Sequence, residues 1–290
     1  MLNLIKMDLY RMFNTLSTWI IILFTAGMAI FCVVMVQGDL DAMAEDPAYA
    51  QEMEQEIESA SDGNEDRQLG LYAESDPEWI EGKIEAGEFI STQLQSGLFT
   101  LFVVIFAAIF ANAEQKNGYI KNIAGQLPNR GVLALSKLTA SAVQVFIMIM
   151  TFVLAAGVMG KILWGGRFYL GSLTDMLPFL RAQYLLNLGI AALILFFCIL
   201  TKSSAFSMTA GIMMVMGLFV PAYSIINRAV AEIRPSWDFD ISLYLPDGNI
   251  GLAGINASSE VLSRAAAVGA VFVVLCAAAA MLILKKRDVR

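Results

Sequence analysis

The side chains that could do chemistry are sparse in this chain, and the densest group lies in Glu114–Leu138, which reads EQKNGYIKNIAGQLPNRGVLALSKL. That stretch offers a carboxylate at Glu114, cations at Lys121, Arg130 and Lys137, and the amide of Asn122. Gly118 permits a turn, Tyr119–Ala124 can form a short amphipathic helix carrying Ile120, and Pro128 with Gly131 breaks the chain again. A short helix held parallel to a membrane can transmit a push from a soluble partner to the spans beside it. An ordinary basic loop between two spans is the alternative.

Most other chemistries are excluded by residue type. The 290 residues contain no histidine, the commonest general base and metal ligand. A Ser/His/Asp set is therefore impossible, and no Gly-x4-Gly-Lys-Ser/Thr phosphate loop occurs. Cys32, Cys198 and Cys276 sit inside apolar runs without metal-ligand spacing and read as small packing residues. No catalytic, cofactor or metal residue is expected, nor a nucleic-acid partner.

The elements that must position the loop are membrane spans. At 58% hydrophobic residues and a mean hydropathy of +0.65, the chain is too apolar for a water-soluble domain. Roughly 20 apolar residues cross a hydrocarbon core. Six segments qualify: Ser17–Val36, Gly97–Ala113, Ala140–Met159, Tyr184–Leu200, Ala205–Ile226 and Ala265–Leu284. Only Thr201–Ser204 separates the fourth from the fifth, which predicts a tight hairpin. The expected fold is all-α and polytopic, with six transmembrane helices. No span has a central Asp, Glu, Lys or Arg, a residue type that ion-coupled carriers hold at mid-membrane. Energy for any uphill work should come from another subunit.

Charge fixes the expected orientation. Between Gln37 and Ser96 there are 17 acidic residues against Arg67 and Lys83. With both termini inside, the inner segments (1–16, 114–139, 201–204 and 285–290) hold 11 basic and 3 acidic residues. The outer segments (37–96, 160–183 and 227–264) hold 8 basic and 23 acidic ones, as the positive-inside rule requires. Lys161, Arg167 and Arg181 run against the trend, and snorkelling at span ends accommodates them.

Three connecting segments carry further expectations. In residues 1–16, Leu2, Ile5, Leu9, Met12, Phe13 and Leu16 form an apolar stripe, with Asn3, Lys6, Asp8, Arg11 and Asn14 on the wet side. This predicts an amphipathic helix on the inner surface, or else an extension of the first span. The acidic segment 37–96 is expected to be a small helical extracellular insertion. One short helix should cover Pro47–Ser59, and another should start at Asp76-Pro77 and lead into Trp79, Ile80 and Ile84. Its acidity suits a cationic ligand or simply a solvated face. The segment 227–264, with Arg234-Pro235-Ser-Trp237 and Tyr244-Leu-Pro246, predicts a structured turn region near the interface that dips into the outer leaflet where it packs on protein. The Asn256-Ala-Ser258 sequon is expected to be unused.

The 114–138 loop resembles that of ABC-2 type transporter permeases, particularly the Gram-positive group linked to bacitracin resistance and lantibiotic immunity. Those proteins carry a Glu ending the second span, a pattern close to E-x3-G-[TY]-[IL]-K-N, a Pro, an Arg, and a Ser-Lys entering the third span. Here Glu114, Gly118, Ile120, Lys121, Asn122, Pro128, Arg130, Ser136 and Lys137 match. The acidic insertion is longer than many members have. The resemblance implies a bacterial plasma-membrane permease with both termini cytoplasmic. It would work as a dimer, with itself or a paralogue, on two cytoplasmic ATPase subunits that hold the ATP and magnesium. It would export an amphipathic peptide, antibiotic or lipid-like substrate, and the acidic segment would suit a cationic one. Glu114, Gly118, Tyr119, Ile120, Lys121, Asn122 and Arg130 would couple to the ATPase, and Arg234, Pro235, Trp237, Tyr244 and Pro246 would form the outer gate. A membrane scaffold or sensor with an acidic ligand-binding segment is the competing reading. A membrane-embedded enzyme is a poorer one, for want of histidine and paired carboxylates.

Overall fold

The computed structural model describes residues 2–46, 48–49, 51, 75–76, 79–80, 82–116, 130–235, 237 and 239–286, with the backbone alone at 113–116. The elements in chain order are α1 (Leu2–Asn14), α2 (Leu16–Glu45), β1 (Ile84–Glu85), α3 (Ala86–Gln95), α4 (Leu98–Lys116) and α5 (Val132–Trp164). They continue with β2 (Phe168–Tyr169), α6 (Leu173–Thr201), α7 (Ser204–Val215), α8 (Val220–Ile233), α9 (Pro246–Ile250) and α10 (Ser259–Lys286). The chain is an all-α polytopic membrane protein. Four helices, α2, α5, α6 and α10, are each long and apolar enough to cross a bilayer. The count rises to six if the bent pairs α3–α4 (58°) and α7–α8 (69°) each make one span.

Both bends have a local cause. Gly97 stands between α3 and α4 at φ 77°, and Gly217 between α7 and α8 at φ 73°, a region that side chains disfavour. Proline at the start of α8 presets the new helix direction. The hairpin between α6 and α7 is equally explicit. Lys202 turns the chain at φ 56°, and the Ser203 hydroxyl then caps α7 by accepting from the Phe206 amide at 3.2 Å.

Side-chain bonds sort the elements into two ends. At one end, here the acidic end, α2, α3, β1, β2, α6 and residues 241–257 interlock. Trp164 donates to Gln37 at 2.7 Å, Ser75 to Asp39 at 2.9 Å, and Gln95 to the Gly251 carbonyl at 2.6 Å. The Ile255 amide donates to Ser91 at 2.8 Å, and β1 pairs with β2 in parallel. At the other, basic end, Leu4, Met7, Val132, Leu133 and Leu284 pack together. The N-terminal helix and the last helical turn therefore share one end.

Several expected boundaries shift. The first helix runs on to Glu45, and the third and fourth spans lengthen to Val132–Trp164 and Leu173–Thr201. Of the helix expected to start at Asp76-Pro77, residues 77, 78 and 81 lie outside the described residues; Trp79 closes a 3-10-type turn, its amide donating to the Asp76 carbonyl at 3.0 Å, and Ile84 pairs as β1 rather than as helix. Arg167 explains that turn, because its guanidinium donates to the carbonyls of Trp79, Ile80 (2.8 Å) and Gly82 (3.2 Å). Lys161 likewise donates to Gly165 (2.8 Å) and Phe168 (3.3 Å). These two cations are committed to backbone carbonyls of the acidic end, which accounts for their departure from the charge pattern. Most of the helix expected over Pro47–Ser59 lies outside the described residues.

Candidate functional site: the roots of the 114–138 loop

Glu114 lies in the last turns of α4, which ends at Lys116. Gly118, Tyr119, Ile120, Lys121 and Asn122 lie outside the described residues. Arg130 opens the turn into α5, its carbonyl accepting from the Leu133 amide at 3.2 Å. The two roots of the loop meet one turn further in, where the Lys137 ammonium sits 5.4 Å from the centre of the Phe110 ring. Lys137 is 5% exposed, so its stem belongs to the protein interior.

The N-terminal helix clasps the same root. Leu4, Asp8 and Met12 recur at steps of four and are the buried residues of α1. Asp8 accepts a hydrogen bond from Ser136, and both are essentially inaccessible. This corrects the sequence reading of α1. Asp8, assigned to the wet side, faces protein, while Leu2 and Leu16 of the apolar stripe are exposed. The physical reason is that α1 packs against α5 through Leu4 and Asp8. Any displacement of the α5 start must therefore move α1, or break Asp8 from Ser136.

At the acidic end the five residues expected to form a gate separate into two groups. Arg234 lies 5.4 Å over the Trp237 ring, and Trp237, Phe239 and Tyr244 stack in turn at 6.0 and 5.6 Å. Trp237 and Tyr244 are more than half exposed, an arrangement suited to an interfacial aromatic belt. Pro235 lies in the turn after α8. Pro246 instead starts α9, all five residues of which are buried. Gln183 of α6 holds α9 by donating to the carbonyls of Ile250 (3.0 Å) and Ala253 (2.9 Å). Asn249 donates to the carbonyls of Leu243 (2.8 Å) and Leu245 (2.9 Å). Buried irregular backbone at this depth thus finds its partners in side-chain amides. Asp247 accepts from the Tyr223 hydroxyl at 2.8 Å, which ties α8 to α9, and burial holds its carboxyl above the ordinary carboxylate range.

Within the bundle, Thr100 donates to Asn187 at 2.9 Å, and Asn187 to the Gln183 carbonyl at 2.9 Å, so α4, α6 and α9 share one buried polar line. The sequence reading weighed only Asp, Glu, Lys and Arg inside spans and so passed over these amides. Asn and Gln within apolar runs were the available signal. No group of three or more His, Cys, Asp or Glu side chains able to hold a metal ion occurs among the described residues. The three cysteines form no disulfide and are buried. Set beside known proteins, the sequence matches no family model and no curated protein.

Proposed function

We propose that this chain is the membrane-spanning permease of an ABC-2 type exporter, driven by separate cytoplasmic ATPase subunits. The observation that supports the reading is the Glu114, Gly118, Lys121, Asn122, Pro128, Arg130, Ser136, Lys137 pattern, placed between two helices whose facing side chains touch at Lys137 and Phe110. A push on such a loop acts on α4 and α5 together, and through Asp8 and Ser136 on α1. In this reading the basic end is cytoplasmic, the acidic end faces outward from a bacterial plasma membrane, and a second permease copy completes the pathway. The substrate is an amphipathic peptide, antibiotic or lipid-like molecule. The chain holds neither ATP nor magnesium.

The test is co-purification. Replacing Tyr119–Ala124 by a Gly/Ser linker is expected to abolish association with the ATPase while the permease stays folded in the membrane. Undiminished association would overturn the docking role and favour the scaffold or sensor reading.

A further inference from the structure

On α5, Lys137, Ser141, Gln144, Met148 and Phe152 recur at steps of three and four and so share one face. Both ends of that face look onto α4: Lys137 onto Phe110, and Phe152 onto Phe99 with ring centres 6.0 Å apart. Between them lie Ser141, 1% exposed, and Gln144, fully buried. The Ser141 hydroxyl and both polar atoms of the Gln144 amide have no hydrogen-bond partner among the described residues. Orphaned groups of this kind are costly in an apolar interior. They are inaccessible in this conformation. A second conformation in which the two helices part would satisfy all three.

We propose that α4 and α5 separate along this face in the working cycle, and that Ser141 and Gln144 then line a groove for uncharged hydrogen-bonding groups. The occupant is water, or an amide or hydroxyl of the cargo in its place. The pair is joined by the 114–138 loop, so the same push that the loop receives would open it. Only the cargo half of this proposal rests on the transport reading; the hydration does not.

Cysteine accessibility tests it. In a chain with Cys32, Cys198 and Cys276 replaced by Ala, Ser141→Cys and Gln144→Cys are exposed to a small, charged methanethiosulfonate in membrane vesicles. Both are expected to react at least tenfold faster than Val145→Cys, their fully buried neighbour, and Lys202→Cys in the exposed hairpin serves as the positive control. Rates no faster than that of Val145→Cys, with Lys202→Cys labelled, would overturn the groove. If the cysteine-free chain does not fold, Gln144→Leu in the native chain decides. A raised melting temperature with reduced substrate-stimulated ATP hydrolysis is expected, and no change in either would overturn the proposal. Labelling that persists in a chain unable to bind an ATPase would overturn the loop's push as the cause of opening and leave the groove standing.

Discussion

The pairs α6–α10 and α4–α5 are packed on opposite principles. Where α6 crosses α10, Gly189 and Gly269 let the backbones approach so closely that a Cβ on Gly269 would stand 2.4 Å from the Leu185 carbonyl carbon. Small residues at a helix crossing gain dispersion contacts and leave no room for rearrangement. Along α4 and α5 the backbones approach closely at few points. Phenyl rings and the Lys137 side chain fill the space instead, and three polar atoms of Ser141 and Gln144 find no partner among the described residues. One contact is built to stay shut, and the other contains its own reason to open.

That contrast can be broken in order of expected effect. Gly269→Leu should be the most damaging, because its nearest neighbours are backbone atoms that cannot step aside. A loss above about 3 kcal/mol, read as loss of monodisperse protein in detergent, is expected. Gly27→Leu in α2, where a Cβ meets nothing within 4 Å, should behave as the native chain. Phe152→Ala, on the α4–α5 face, should cost about 3 kcal/mol by leaving a cavity, measured by thermal unfolding. An equal loss from Gly27→Leu and Gly269→Leu would erase the distinction.

The smallest effect concerns α9, which packs on α6. The Asp247 carboxyl is held above its reference value of 3.8 by burial, so the folded protein binds that proton more tightly than the unfolded chain. Its contribution to stability is full below that reference value and is lost as pH rises through the raised folded value. Asp247→Asn keeps an acceptor for Tyr223 and should flatten this part of the melting-temperature profile, with a gain at neutral pH. An unchanged profile would show that Asp247 stays charged in the folded protein.

Much of this architecture was legible in the residues. Length and hydropathy locate the crossing helices, because a bilayer demands long apolar runs. Lys202 and Ser203 mark the hairpin, and the four-residue gap leaves room for nothing else. The bends at Gly97 and Gly217 were harder to read, since apolar composition continues straight through both and only tertiary packing sets the angle. The burial of Asp8 was illegible for a related reason. Helical periodicity reports a stripe, but it does not say whether the stripe faces lipid or another helix. The gate residues were legible singly but not in their grouping: Trp237 and Tyr244 belong to an exposed stack, whereas Pro246 serves a buried helix held by Gln183, 63 positions earlier in the chain.

The pairing of α2 with α5 sets a schedule for assembly. The bond Asp8–Ser136 joins α1 to the start of α5 and Gln37–Trp164 joins the far part of α2 to the end of α5, over 128 and 127 positions, so the α1–α2 segment and α5 run in the same direction. At roughly 5–20 residues per second, the ribosome delivers the second partner about 6–25 s after the first. During that interval the Asp8 carboxylate and the Gln37 amide have no native neighbour. The first helices must wait at the insertion machinery or be shielded by a membrane chaperone. Biogenesis of this chain should then depend on that holding step more than on the hydrophobicity of any single helix.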